Sequence, residues 1–555
     1  MVTATPSARQ TTRMSTTHKR PGQSLGTLRV VLWVFCLLFV VMPLGAIALY
    51  GILSWRGTEV LNADVLDAAI NSAVSSLAAA VIATIVALAL AVFVEHTDLP
   101  GRGALRLILL TPLLVPPFIG AIAWTGVFGP ASPINLQWTQ WFGHVLWNVY
   151  GADGVIFLLA LHGYPVAYLM IAVALDRVPA ELEEAARISG AEPVHVLGSI
   201  TLPLVAPAAL SAFILQVVSN LADFGIPSIV GTPERYTTLA TLIYRYVQSG
   251  SVDNPLQVVA GIGIMMLAVT MLALSAVKRI PQRTITFAPR AANAMPLRLG
   301  GRLPIAVILW TVGLAITVLP TFALASQSLL AAPGIPLTWS NLTLDSYREA
   351  FASPTTMLGL TTSIVLSVGA GVICGIVGMA IGSLAARSHR RDDHALGSLA
   401  LLPQSIPGLI IAVGWLLLAP HIGLFNTPWL ILAAYVTAFV GLVVQTVEAP
   451  LKAIPDALVD AARISGASPL TAMRDVIWRM GASAAVTGAM LVVLTAVREL
   501  TISSLLLAPD AQTLGVVVFS LQQAGSYNAA AALSLLITVV GLAALRTVTR
   551  VMRGR

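Results

Sequence analysis

The sequence predicts an all-α polytopic membrane protein, with about 12 transmembrane helices in two parallel six-helix repeats. Three observations predict it. Hydrophobic residues make up 57% of the 555 and charged residues only 10%, and the mean hydropathy is +0.87; a soluble domain carries about a quarter charged residues. The apolar residues fall in unbroken runs of roughly 20, the length of one membrane-crossing helix. One segment also recurs almost unchanged 276 residues further along the chain.

Lipid offers no water to exposed N–H and C=O groups, so only helices or closed barrels cross it. Barrel strands would be about half as long and would alternate polar with apolar residues. Cys36 and Cys374 both lie inside apolar runs and read as small packing residues, without a disulfide framework or a metal cluster. The run from Val30 to Tyr50 is longer than the apolar core of a signal peptide and many more runs follow, so it reads as a retained first helix.

Spans are expected at 28–50, 67–94, 105–128, 154–175, 204–230, 255–277, 303–325, 359–386, 396–419, 429–448, 482–508 and 527–549. The connections then alternate sides. One side holds 26 of the 31 Lys and Arg; the other holds Arg56, Arg235, Arg245 and Arg348, and Arg498 lies within a span. Basic loops stay in the cytoplasm, which places both termini there. The tail at 1–27 carries Arg9, Arg13, Lys19 and Arg20 and no acid, and Lys278 to Arg302 holds six basic residues and no acid. The net charge of +7 therefore reads as topology and attraction to anionic lipid, not as nucleic-acid binding.

The repeat sets the domain organisation. Val178 to Pro193 aligns with Ile454 to Pro469, and Ala185-Ala-Arg-Ile-Ser-Gly-Ala191 recurs identically as Ala461 to Ala467. Pro112, Pro116 and Trp124 match Pro403, Pro407 and Trp415; Asp223 matches Glu499; Thr238-Leu239 and Gln248 match Thr513-Leu514 and Gln523. The chain divides into a basic tail (1–27), a first six-helix half (28–285), a linker (286–302) and a second six-helix half (303–555). Six spans per half give both halves one orientation, related by an axis along the membrane normal with a pathway between them.

The repeated cytoplasmic segment reads as two short helices. Pro179 suits a helix start, Glu181, Glu183 and Glu184 favour the first turns through the helix dipole, Gly190 ends or bends the helix, and Glu192-Pro193 starts the next. The second copy reads alike from Pro455 through Gly466 and Pro469. Such a pair of helices either lies on the headgroups or forms a docking knob for another protein.

These residues resemble the EAA loop of permeases of binding-protein-dependent ABC importers. Glu184, Ala185, Ala186, Gly190, Ile200, Leu202 and Pro203 carry the pattern in the first copy, and Asp460, Ala461, Ala462 and Gly466 in the second, which departs downstream at Val476, Trp478 and Arg479. The resemblance implies a MetI-like permease fold, fused as two halves in one chain. It also implies that each loop seats a coupling helix in one of two ABC ATPase subunits, whose closure switches the pathway, and that an extracytoplasmic substrate-binding protein delivers cargo. Asp223-Phe-Gly-Ile-Pro-Ser-Ile-Val-Gly231 and the segment ending at Tyr244 most resemble ferric-iron-type permeases, implying Fe(III) as cargo, with thiamine, 2-aminoethylphosphonate and polyamines as alternatives.

The chain is not expected to be an enzyme. A phosphate-binding loop needs a Gly-rich turn followed by Lys-Ser/Thr, and Gly-Lys occurs nowhere. No cofactor is expected on this chain; ATP and Mg belong at the partner ATPase. Ionisable groups within spans default to function, so Asp223, Arg498 and Glu499 are candidates either for cargo contact or for charge pairs holding the halves in register. His162 reads as an interhelical hydrogen-bonding residue, and His389 and His394 as part of a solvated loop. An ion-coupled secondary transporter, the rival class, calls for carboxylates near the midplane and no docking loops.

Overall fold

The computed structural model describes residues 23–53, 62–249, 254–280, 302–506, 508 and 511–553. The basic tail through residue 22 and the linker up to residue 301 lie outside them. The described residues are overwhelmingly helical, with an isolated bridge between Leu330 and Leu342.

Among the described residues nine helices are long and apolar enough to cross a membrane, and ten if one bent pair counts as a span. They match expected spans one, two, four to eight, ten and eleven. The twelfth corresponds to the helix Tyr527–Arg553. Spans three and nine are broken at their prolines. In span three the helix Arg102–Leu109 gives way to a tight turn at Thr111–Leu114, and a new helix starts at Pro117. Val115 and Pro116 between them are extended (ψ 130° and 138°), because a residue preceding proline is driven out of the helical region. The repeat does the same at Ile406 and Pro407 (ψ 134° and 132°), and there the two segments meet at 104°.

Spans five and eleven, Pro193–Leu221 and Pro469–Val497, stop short of the expected 230 and 508. A carboxylate ends each. Asp223 Oδ1 accepts the N–H of Ile226 at 2.8 Å. Glu499 accepts the N–H of Ile502 at 2.6 Å and of Ser503 at 3.1 Å. Each acid thus caps a short helix that re-enters the bundle, satisfying backbone donors that lipid cannot.

The two halves exchange their first helices. Span one, Leu25–Ile52, packs against Gly408–Ile422 of the other half as well as against span six of its own. Arg29 at its start grips the buried Asp393 through both carboxylate oxygens, at 2.9–3.1 Å. The expected solvated loop around His389 and His394 is therefore partly structured: the helix Arg391–Leu401 begins inside it and buries Asp393. Span seven, Arg302–Leu329, mirrors this on the first half, with Thr317 and Thr111 hydroxyls 2.7 Å apart and Arg302 bonded to Asp98 at 3.1 Å. Small residues permit the crossings; a Cβ on Gly414 would meet the Pro43 carbonyl oxygen at 2.5 Å.

Candidate functional site: two docking helices and an axial cavity

The first repeated loop folds as the helix Ala180–Ile188 and the second as Asp456–Ile464. Both end in the same glycine cap. Gly190 has φ +88° and Gly466 φ +90°. The Gly190 and Ala191 N–H groups bond the Arg187 and Ala186 carbonyls, both at 3.0 Å; Gly466 and Ala467 do so with Arg463 and Ala462 at 3.1 and 3.0 Å. This reversal satisfies the last carbonyls of the helix and needs a left-handed residue. Nothing lies within 4 Å of where a Cβ would sit on either glycine, so conformation alone dictates glycine here. It terminates the helix; it does not bend it.

Among what each helix leaves outside are large apolar side chains. Ile188 is 88% exposed and its repeat partner Ile464 is 87% exposed; Leu182 and Leu458, also partners, are 42% and 44% exposed. Ala185 and Ala461 are exposed beside them, as are Glu184 and Asp460, while Ala186 and Ala462 are half-buried. The sequence reading singled out the acids, alanines and glycines and passed over these isoleucines, although they stand in the identical stretch of the repeat.

The two helices are anchored to the bundle by different chemistry. In the first, the buried acid is Glu183, not Glu184: it is 1% exposed, accepts from the Thr201 hydroxyl at 2.7 Å and bonds His96 Nε2 at 2.7 Å. His96 is the last residue of span two, Ala63–His96. In the second half the last residue of the corresponding helix, Pro354–Arg387, is an arginine. Arg387 bonds the Ile454 carbonyl at 2.7 Å and pairs with Asp456. The positions equivalent to Glu183 and Thr201 are Val459 and Ile477, an apolar pair packed on the core. Both spans leave their loops through equivalent wide helical turns, Leu197–Thr201 and Met473–Trp478, so the departures at Val476, Trp478 and Arg479 do not alter the exit.

On the opposite face, repeat partners meet each other. Tyr244 and Phe519 have ring centroids 5.9 Å apart, and Phe224 lies 5.0 and 5.5 Å from them. Equivalent residues can touch only on the axis relating the halves. The helices carrying them, Leu239–Ser249 and Leu514–Gln523, are fixed alike: Leu239 N–H bonds the Ser72 hydroxyl at 2.8 Å, and Leu514 N–H bonds that of Ser363 at 2.7 Å. The three rings floor a pocket of about 910 Å³ that also carries the partners Gln248 and Gln523.

Behind the rings lies a second cavity of about 330 Å³, lined from the first half by Pro117, Phe118 and Asp223 and from the second by Thr495, Arg498 and Glu499. The structure thus brings all three candidate pathway charges into one space astride the axis. It does not pair them: among the described residues no carboxylate lies within ion-pair distance of Arg498, whose one hydrogen bond runs to the Leu113 carbonyl at 3.4 Å. That carbonyl is free because the residue four further on is Pro117, which has no N–H. His162 does not line this cavity, its Nδ1 bonded within its own helix to the Leu158 carbonyl at 3.0 Å and its ring against Gly120; among the described residues it makes no interhelical hydrogen bond. Cys36 and Cys374 are both buried and free.

Repeated halves, paired loops and a cavity lined by both halves are features of a membrane transport subunit. The chain belongs to the family described as the binding-protein-dependent transport system inner membrane component, which matches it twice, at residues 98–286 and 378–554. It is a fused, two-half permease of the ABC importer class. It is 24% identical over 426 residues to the ABC transporter permease protein y4fN of Sinorhizobium fredii, covering 72% of each chain. It is 22% identical over 454 residues to the Fe(3+)-transport system permease protein FbpB 2 of Haemophilus influenzae, covering 81% of this chain and 83% of that one. To the molybdenum transport system permease ModB of Escherichia coli it is 28% identical over 152 residues, 27% of this chain and 66% of that one. Against two further ferric transport permeases it spans 45% and 50% of their length.

Proposed function

We propose that the chain forms the solute pathway of a bacterial ABC importer and is driven by two ABC ATPase subunits, one on each docking helix. The observation that carries this reading is the pair Ile188 and Ile464: large apolar side chains at repeat-equivalent positions, each almost fully exposed on a polar loop. An exposed apolar anchor on a rigid, capped helix fits a groove in a partner, and two equal anchors fit two like partners. ATP and Mg act at those partners, and this chain binds no cofactor. The basic loops put the docking helices and both termini in the cytoplasm of a cell with this inner membrane. An extracytoplasmic binding protein delivers cargo to the pocket floored by Tyr244, Phe224 and Phe519.

Fe(III) is the cargo we favour, on the strength of the ferric permeases among the relatives. Molybdate is supported by relatives named for molybdenum transport, and thiamine, 2-aminoethylphosphonate and polyamines by the sequence resemblance. An ion-coupled secondary transporter is the rival class, and the paired docking helices count against it.

Pull-down tests the reading. Replacing Gly190 and Gly466, or Glu184 and Asp460, should release the ATPase from a permease that remains folded. Retained ATPase and undiminished transport after all four changes would reject the docking assignment. The solute retained by a binding protein that stimulates transport through this chain would identify the cargo.

A further inference from the structure

We infer that Arg498 is an anion site in the pathway, so that the cargo crosses as an anion or as an anionic complex and not as a bare cation. The inference rests on the permease reading and narrows its cargo class.

The internal repeat supplies the control. Asp223 and Glu499 are equivalent and do the same structural work, each capping the helix that follows it. The residue before Asp223 is Ala222, and the residue before Glu499 is Arg498. The first half builds this break without a cation, so the fold does not require one. A guanidinium present in one half only, in a cavity lined by both, calls for another reason.

The hydrogen bonds say what it is available for. Glu499 gives both oxygens to backbone N–H groups, and Asp223 gives one. The charge of these carboxylates is met largely by helix N-termini. Arg498 carries five N–H donors and makes one long bond, to the Leu113 carbonyl. Of the three charges in the cavity it is the only donor, and it has most of its hydrogen-bonding capacity open, whereas Asp223 keeps one acceptor oxygen over; a planar guanidinium matches an oxyanion or carboxylate through two parallel bonds. Two sources offer that chemistry: a free oxyanion, or the anionic ligand of a metal complex. An Fe(III) cargo would cross in the second form.

The test separates charge from bracing. The full chain in lipid nanodiscs is titrated with radiolabelled molybdate, ferric citrate and, as a cation, thiamine, for wild type and the variants Arg498→Gln, Arg498→Ala and Arg498→Lys. Glutamine can still donate to the Leu113 carbonyl but carries no charge; lysine keeps the charge. Wild type should bind molybdate or ferric citrate, which of the two telling the free oxyanion from the complex. Binding should fall about tenfold or more in the Gln and Ala variants and return in the Lys variant. Anion binding by the Gln variant equal to wild type would overturn the inference, as would wild type binding thiamine and neither anion. ATPase retention, measured on the same samples, stands apart. Wild type that holds its ATPase yet binds neither anion defeats this inference alone, whereas wild type that holds no ATPase defeats the permease reading.

Discussion

Tyr244 and Phe519, separated by 275 residues and equivalent under the internal repeat, place their rings 5.9 Å apart on the axis between the halves. With Phe224 they stand between the outer pocket and the charged cavity, since Phe224 lines the first and its neighbour Asp223 the second. On the function proposed above, this contact would be the closure of the pathway on that face. Truncating both Tyr244 and Phe519 to Ala should open it, raising ATP hydrolysis in the absence of binding protein and letting small ions leak from liposomes. Either single truncation should do less, because the remaining ring still packs on Phe224. Tight liposomes with the double variant would show that the seal lies elsewhere.

Glycine at 190 and 466 is required by backbone sign, not by room. A Gly→Ala change at either should cost roughly 1–2 kcal/mol locally, the penalty for an L-residue in the left-handed region, and Asn should cost less because it tolerates that region. Amide hydrogen exchange is the measurement. Gly190 and Ala191 in one loop, or Gly466 and Ala467 in the other, should lose protection while the spans keep theirs. The loops share no partner, so the two effects should add.

Adjacent glutamates should behave in opposite ways. Glu183→Ala removes the carboxylate that the Thr201 hydroxyl and His96 share inside the bundle, a loss of about 1–3 kcal/mol; exposed Glu184→Ala should stay within about 0.5 kcal/mol. Thermal unfolding of the detergent-solubilised chain distinguishes them. ATPase retention should invert the order at equal folding, with Glu184→Ala weakening docking. In the second loop Arg387→Met should destabilise less than Glu183→Ala: it takes the donor from the Ile454 carbonyl, but Asp456 is exposed and its pairing adds little.

Much of this was legible in the sequence, for physical reasons. Apolar runs of span length, Lys/Arg asymmetry and the repeated Ala-Ala-Arg-Ile-Ser-Gly-Ala are direct consequences of bilayer physics and duplication, and they located the spans, the loops and the charges of the cavity. Helix phase is what hid the anchor: Glu183 and Glu184 are one residue, about 100° of helical turn, apart, and composition cannot say which faces His96. The exchange of spans one and seven was hidden because an apolar stripe tells that a helix is buried, not by which half. The break at Asp223 could have been found, since Asp is a preferred helix N-cap residue and Pro227 follows it; Glu499 carries no such signal. Inside long apolar runs both acids read only as pathway charges.

That distinction yields an asymmetric prediction for the two caps. Asp223 offers one oxygen to one N–H, so Asp223→Asn keeps the acceptor and should leave thermal stability nearly unchanged. Glu499 spends two oxygens on two N–H groups, of Ile502 and Ser503, and a glutamine has only one. Glu499→Gln should therefore cost about 1 kcal/mol, in the range of a lost helix cap, even though both changes remove one negative charge. Replacing either acid by Ala should cost at least as much, because the orphaned donors face protein and lipid instead of water. If charge and not capping holds these residues in place, Asn and Gln will destabilise equally, and unfolding temperatures of the two variants measured side by side decide between the accounts.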